Sequence, residues 1–228
     1  MARKVVFVIV EGPSDKEALE LFFIKFYNMK MVRLEVLYRD ITTDQGVNSR
    51  NIHNKIYEEV KRYMNRNPIK KSDFQEIIHI VDTDGAYVEN TQVIEDMNKG
   101  KTFYTETEIL TSNKKGIEKR NEQKKDNLNK LSVLNKVGGI PYHVYYMSCN
   151  LDHVLHNKLN STDEEKEKDA HNFAKKYKDD LPAFIKFISE SDFAVSDSYP
   201  ESWKYIKVAN HSLERHTNLG LCFYQGEA

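Results

Sequence analysis

The chain has 228 residues, of which 39% are hydrophobic and 30% charged, with a formal net charge of −1. These values fit one large globular domain, or a domain with an appendage, and exclude a polycation that binds nucleic acid over its whole surface. Two cysteines, no apolar run near the ~20 residues that span a bilayer, and an initial apolar stretch too short for a signal peptide predict a reducing, cytoplasmic setting with no membrane partner.

The first element is a buried strand. Val5, Val6, Phe7, Val8, Ile9 and Val10 are continuously apolar and five of them are β-branched, a pattern of strands covered on both faces of a parallel sheet. Glu11 stands at its C-terminal end, and Gly12 and Pro13 break the strand. Ser14 and Glu17 have capping-box spacing, which predicts a helix from 15 to about 29 with Ala18, Leu19, Phe22, Phe23 and Phe26 on one face. Residues 33–38 read as a second strand, 40–48 as a polar loop, and 49–65 as a helix closed by Pro68. A further apolar strand at 76–81 runs into Asp82-Thr83-Asp84-Gly85. This β-α-β-α-β order predicts parallel crossovers. Ligands of open α/β sheets bind at C-terminal strand ends, which puts Glu11, Asp15, Asp82 and Asp84 on the working rim.

Residues 87–97 read as a loop or short helix. Between 112 and 137, eight lysines and arginines face three acids, and apolar residues come late (Leu128, Leu131, Leu134). This predicts a helical insertion that projects from the core and docks only by its C-terminal half, ended by Gly138 and Gly139. Its Lys114, Lys115, Lys119, Arg120, Lys124 and Lys125 form either a solvated face or an electrostatic arm on a nucleic-acid backbone. Residues 142–147 read as a fourth core strand leading into Asn150, Asp152 and a helix. Helices at 163–180, 181–189 and 200–213 complete the chain. The expected organisation is an α/β core over 1–160, a parallel sheet of about four strands flanked by helices, with a lysine-rich insertion at about 100–140. Residues 161–228 form a helical C-terminal cap packed on it.

A strand ending in EGPSD, followed some seventy residues later by a strand ending in DTDG, resembles the Toprim fold of topoisomerases, bacterial primases and nucleases of the overcoming-lysogenization-defect family. The likeness covers roughly the first ninety residues. It implies that Glu11 is a general acid or base and that Asp82 and Asp84, with Asp15 beside them, hold Mg²⁺ or Mn²⁺. In the lysogenization-defect nucleases a later acidic motif contributes to a second metal, a role that falls to Asp152 here. The implied activity is metal-dependent nuclease action on DNA or RNA, in phage defence or nucleic-acid processing. Small stand-alone members of this kind work with partners, so a partner protein or homo-oligomer belongs to the same expectation.

The chemistry of the residues agrees with this reading. Phosphodiester hydrolysis develops negative charge on an anionic substrate, and clustered carboxylates can hold the hard cation that screens it. Two alternatives stand beside it. One is a non-catalytic module of the same fold that binds nucleic acid or a partner. The other is a haloacid-dehalogenase-type phosphatase, in which DTDGAY carries the nucleophile and Ser148 binds phosphate. That reading expects the aspartate strand first in the core and leaves EGPSD without a role. His153 and His156, spaced i, i+3 on one helix, have the spacing of zinc ligands, with Asp152 beside them the one candidate for a third.

Overall fold

The computed structural model describes residues 4–27, 31–37 and 40–224. In chain order the first elements are β1 (Val5–Val10), α1 (Pro13–Phe26), β2 (Met31–Val36), α2 (Ile52–Arg66) and β3 (Phe74–Asp82). Then come β4 (Val93–Glu95), β5 (Phe103–Tyr104), β6 (Ile109–Thr111), α3 (Lys114–Leu131), β7 (Lys136–Val137) and β8 (Ile140–Met147). The chain closes with α4 (Leu151–His156), α5 (Asp163–Tyr177), α6 (Leu181–Glu190), α7 (Tyr199–Tyr205) and a 3-10 turn at Leu219–Phe223. The ends expected for the first helix near 29 and for the second strand at 38 lie outside the described residues.

Five strands form one sheet in the order β2-β1-β3-β8-β7. β1 runs parallel to β2 and β3, and β3 parallel to β8; only β7 is antiparallel. The sheet is therefore mixed but mostly parallel, and the four strands read from the sequence are its parallel part. Gly138 and Gly139 do not end a helix, as expected, but turn the β7–β8 hairpin with φ of 59° and 84°. A Cβ at Gly138 would lie 2.2 Å from the Tyr57 ring. β4, β6 and β5 form a second small sheet that the sequence pattern did not announce.

Strand alternation divides the core into two layers. Val6, Val8 and Val10 face a layer built from α1, α4, α5 and α6, whereas Val5, Phe7 and Ile9 face one built from α2, the C-terminal half of α3 and Trp203. The C-terminal helices complete the first layer: the Phe22 and Phe184 rings stack at 3.9 Å between centroids, with Phe173 edge-on to Phe22. Side chains close the edge of β8 beyond the short β7. The Tyr199 hydroxyl meets both the N–H and the C=O of Val144, and Asn218 Oδ1 accepts from Tyr146 N–H. An unpaired edge is a template for association, and these contacts remove it.

Candidate functional site

A parallel sheet brings its C-terminal strand ends to one rim, and here every parallel strand delivers an acid there. Glu11 follows β1. Asp82 ends the neighbouring β3, and its N–H donates to Glu11 Oε1 at 3.3 Å. Asp40 lies just past β2, and Asp152 stands in the first turn of α4 after β8. Asp84 has φ of 48° and Cys149 has φ of 53°, both in the left-handed region that costs a non-glycine residue on the order of 1–2 kcal/mol. Surrounding bonds hold this conformation. Asp84 N–H donates to Cys149 C=O at 2.8 Å, and Cys149 N–H donates to Thr83 Oγ1 at 2.8 Å.

On the α3 side the carboxylates meet a lysine. The Lys124 side chain is 0% exposed; its Nζ donates to Asp40 Oδ2 at 2.8 Å and also to Asp84 Oδ2. Burial alone would lower its pKa, but the Asp40 and Asp84 charges outweigh that and raise it well above the usual value. Burial likewise disfavours the charged form of Asp40, yet Lys124 and two threonine hydroxyls pull its pKa down to about 2. Tyr104 OH reaches the other oxygen of Asp84 at 3.4 Å, and Arg120 bridges Tyr104 OH (2.7 Å) and the Asp84 C=O (2.8 Å). Burial, then Asp40's charge, raises the Glu11 pKa well above the carboxylate range.

On the α1 side the charge is less well matched. Asp15 Oδ2 accepts from Gly12 N–H at 2.9 Å, and the helix starts at Pro13. The cap is therefore one-sided, Asp15 accepting from Gly12 N–H, and not the expected reciprocal Ser14–Glu17 pair. Burial and then the Asp152 charge push Asp15 up to about 6. Asp82 is raised well above its ordinary value by burial and by Asp15 and Asp84. Burial also raises Asp152, against the opposing charges of Lys166, 3.7 Å away, and Lys158. A cavity of about 170 Å³ opens here, lined by Asp82, Asp84, Lys101, Tyr104, Ser161 and Lys166 among others.

The structure thus brings Glu11, Asp15, Asp82, Asp84 and Asp152 to one rim and adds Asp40, from the polar loop over 40–48. The basic helix is corrected. It does not project: Asn121, Lys124, Asn127, Leu128 and Leu131 are buried against the core. Lys124 cannot reach a phosphate, and Arg120 is committed to Asp84 and Tyr104. Lys114 stands 3.9 Å from Glu118, while Lys115, Lys119 and Lys125 line a separate polar cavity of about 400 Å³ with Glu118 and Glu122. The one signal for Lys124 was its spacing from Leu128 and Leu131, which places it on the docked face of the helix. Asp40 follows a strand end, as Glu11 does.

Ser148, the phosphate ligand of the phosphatase alternative, is fully buried; its hydroxyl donates to the Glu214 C=O and accepts from His216 N–H at 2.6 Å. Among the described residues no three acidic, histidine or cysteine side chains converge closely enough to hold a metal ion, His153 and His156 included. The rim's donor chemistry still fits a hard cation. Its donors are carboxylate oxygens, and six carboxylates gather at the rim, where Lys124, Arg120, Lys166, Lys158 and Lys101 are the cations beside them among the described residues. Among the described residues no helix is long and apolar enough to cross a membrane. No family model, curated protein or solved structure matches this chain.

Proposed function

We propose that this chain is a divalent-cation-dependent nuclease that hydrolyses phosphodiester bonds in DNA or RNA at the rim of β1 and β3. The observation that carries the reading is the meeting of two half-buried acids on adjacent parallel strand ends: the Asp82 N–H donates to the Glu11 carboxylate, and burial raises both carboxyls well above their ordinary values. Such a pair stays ionised only beside a cation. Asp82 and its neighbour Asp15 would contribute carboxylate oxygens to Mg²⁺ or Mn²⁺, with substrate phosphate and water completing the shell; the ion would supply Lewis acidity and neutralise substrate charge. Asp84 orients through Lys124 and Tyr104 and is a weaker ligand candidate than its motif implied. Glu11, whose carboxyl is shifted toward the protonated form by burial and then by the Asp40 charge, is the residue to pass a proton to or from the reacting oxygen. The Toprim resemblance supports the same roles.

A second reading, a non-catalytic binding module, is favoured by one observation: Lys124 already neutralises Asp40 and Asp84. A single experiment separates the two. Wild-type protein and Glu11→Gln are assayed for Mg²⁺- and Mn²⁺-dependent cleavage of single- and double-stranded DNA and RNA, and their melting temperatures are read with EDTA and with Mg²⁺. A nuclease cleaves, gains stability from the ion, and loses cleavage but not ion-dependent stability in Glu11→Gln. A protein that binds nucleic acid with no cleavage in either ion is the module.

A further inference from the structure

The proposed reading leaves open which cations receive the substrate, and the helix expected to do so is turned inward at Lys124 and Arg120. We propose that Lys101 and Lys166, with the Ser161 hydroxyl, form the phosphate-binding wall for the nucleic-acid strand presented to the carboxylates. This rests on the nuclease reading and assigns its substrate contacts.

Three observations carry it. First, Lys101 and Lys166 line the same cavity as Asp82 and Asp84, and among the described residues the cavity has no other lysine or arginine. An anion approaching six carboxylates needs such cations beside them. Second, Ser161 lines this cavity, and its hydroxyl has no hydrogen-bond partner among the described residues. A buried hydroxyl left unsatisfied costs free energy and calls for a partner; a phosphate oxygen provides one. Third, the wall is built before any ligand arrives. Tyr104 N–H donates to Asn160 Oδ1 and Asn160 Nδ2 donates to Tyr104 C=O, both at 2.8 Å. That two-bond clamp ties the segment carrying Ser161 to β5, two residues beyond Lys101. Lys158, paired with Asp169 at 2.5 Å, fixes the same segment to α5, which carries Lys166.

The size of the cavity limits the occupant. At about 170 Å³ it is smaller than the ~300–1,000 Å³ pockets that enclose whole small ligands. It takes a stretch of sugar-phosphate backbone and leaves the bases outside. Recognition is then by phosphate and not by base edge, so one sequence binds about as well as another.

The test uses the intact chain and fluorescence anisotropy of a short labelled single-stranded oligonucleotide in Ca²⁺, which neutralises carboxylates as a hard cation. Lys101→Gln and Lys166→Gln are expected to weaken binding and each to reduce the salt slope by roughly 0.7, the value for one phosphate contact on a single strand. Ser161→Ala carries no charge change and is expected to weaken binding about tenfold, the loss of one hydrogen bond to a charged group, with an unchanged slope. Lys114→Gln and Lys119→Gln, on the outer face of α3, serve as comparison and are expected to move affinity less than twofold. Wild-type binding that keeps its strength and slope in Lys101→Gln, Lys166→Gln and Ser161→Ala overturns the wall alone. Wild-type protein that neither binds nor cleaves any strand overturns the wall and the nuclease reading together. Binding that falls only in the α3 variants moves the phosphate track to that helix.

Discussion

Lys124 Nζ lies 2.8 Å from Asp40 Oδ2, across 84 positions of sequence, and the same ammonium holds Asp84. This contact joins α3 to the ends of β2 and β3 and makes a buried lysine the electrostatic centre of the rim. Removing one partner of a buried pair strands the other's charge, which typically costs about 3–5 kcal/mol. Lys124→Met is therefore expected to lose stability of that order in urea denaturation. Lys124→Met combined with Asp40→Asn is expected to lose less than the two single changes together, because fewer charges are left unmatched. Additive losses would mean that the pair contributes no coupling and that Lys124 acts by packing alone.

The rim also sets the pH dependence of the metal-free protein. Asp15 is raised to about 6, above its unfolded value, so its contribution is full below about pH 4 and is lost as pH rises through about 6. Asp40 is lowered to about 2, so its contribution is full above about pH 4 and is lost as pH falls through about 2. His79 and His153, which burial lowers to about 4, act the other way and add stability as pH rises from about 4 through the ordinary histidine range. The Asp15 contribution is therefore read as a difference: relative to wild type, Asp15→Asn, whose amide oxygen can still accept from Gly12, is expected to gain melting temperature in EDTA as pH rises from about 4 through about 6. A difference between the two proteins that stays constant from about pH 4 to about pH 8 is the contrary result.

Glu11, Asp82 and Asp84 were legible in the sequence because each sits where an unbroken apolar strand stops, and in a parallel sheet the strand ends share a rim. Asp40 was hidden by its strand: Arg33 and Glu35 alternate with Leu34 and Val36, so no unbroken apolar run points to its end, and Asp40 stands four residues beyond Val36. Lys124 was hidden by its helix. The buried face of α3 presents Asn121, Lys124 and Asn127 before any leucine, so hydrophobic periodicity is missing where the helix meets the site. Charge counting took those residues for a solvent-facing arm. β4, β5 and β6 are two or three residues long, too short for a period-2 pattern to appear. α5 contributes chiefly Ala170, Phe173 and Tyr177 to the core, few enough that its share of the main core could not be read from composition.

The turn after β3 is fixed by packing as well as by hydrogen bonds. Gly85 has φ of +67°, and a Cβ there would stand 2.5 Å from Leu213 Cδ2 and 3.1 Å from Ile109 Cδ1. Gly85→Ala adds both left-handed strain and overlap, and is expected to destabilise by about 1–3 kcal/mol. Because Asp84 precedes it, the same change is expected to displace the carboxylate from Lys124. A Gly85→Ala protein with wild-type urea midpoint and wild-type cleavage would show that the turn tolerates another backbone conformation.

Asp82→Asn tests the rim most directly. Asparagine keeps the shape of aspartate and removes its charge. Asp82 is half-buried beside Asp15 and Asp84, and its carboxyl is raised well above the ordinary range, so in the metal-free protein its ionisation opposes folding. In EDTA at neutral pH the variant is therefore expected to melt higher than wild type. A purely structural Asp82 predicts the reverse, since a turn acceptor would be lost. Mg²⁺ reverses the ranking: it selects anionic oxygens, so wild type gains stability from the ion by mass action and the variant gains much less. Cleavage in Mg²⁺ is expected to disappear while the far-ultraviolet circular dichroism stays the same. The Asp82 N–H, which donates to Glu11, is a backbone group and survives the substitution, so loss of cleavage cannot be assigned to loss of that contact. Equal stabilisation of both proteins by Mg²⁺, or full cleavage by the variant, would falsify the metal role of Asp82 and leave the binding module as the better reading of this rim.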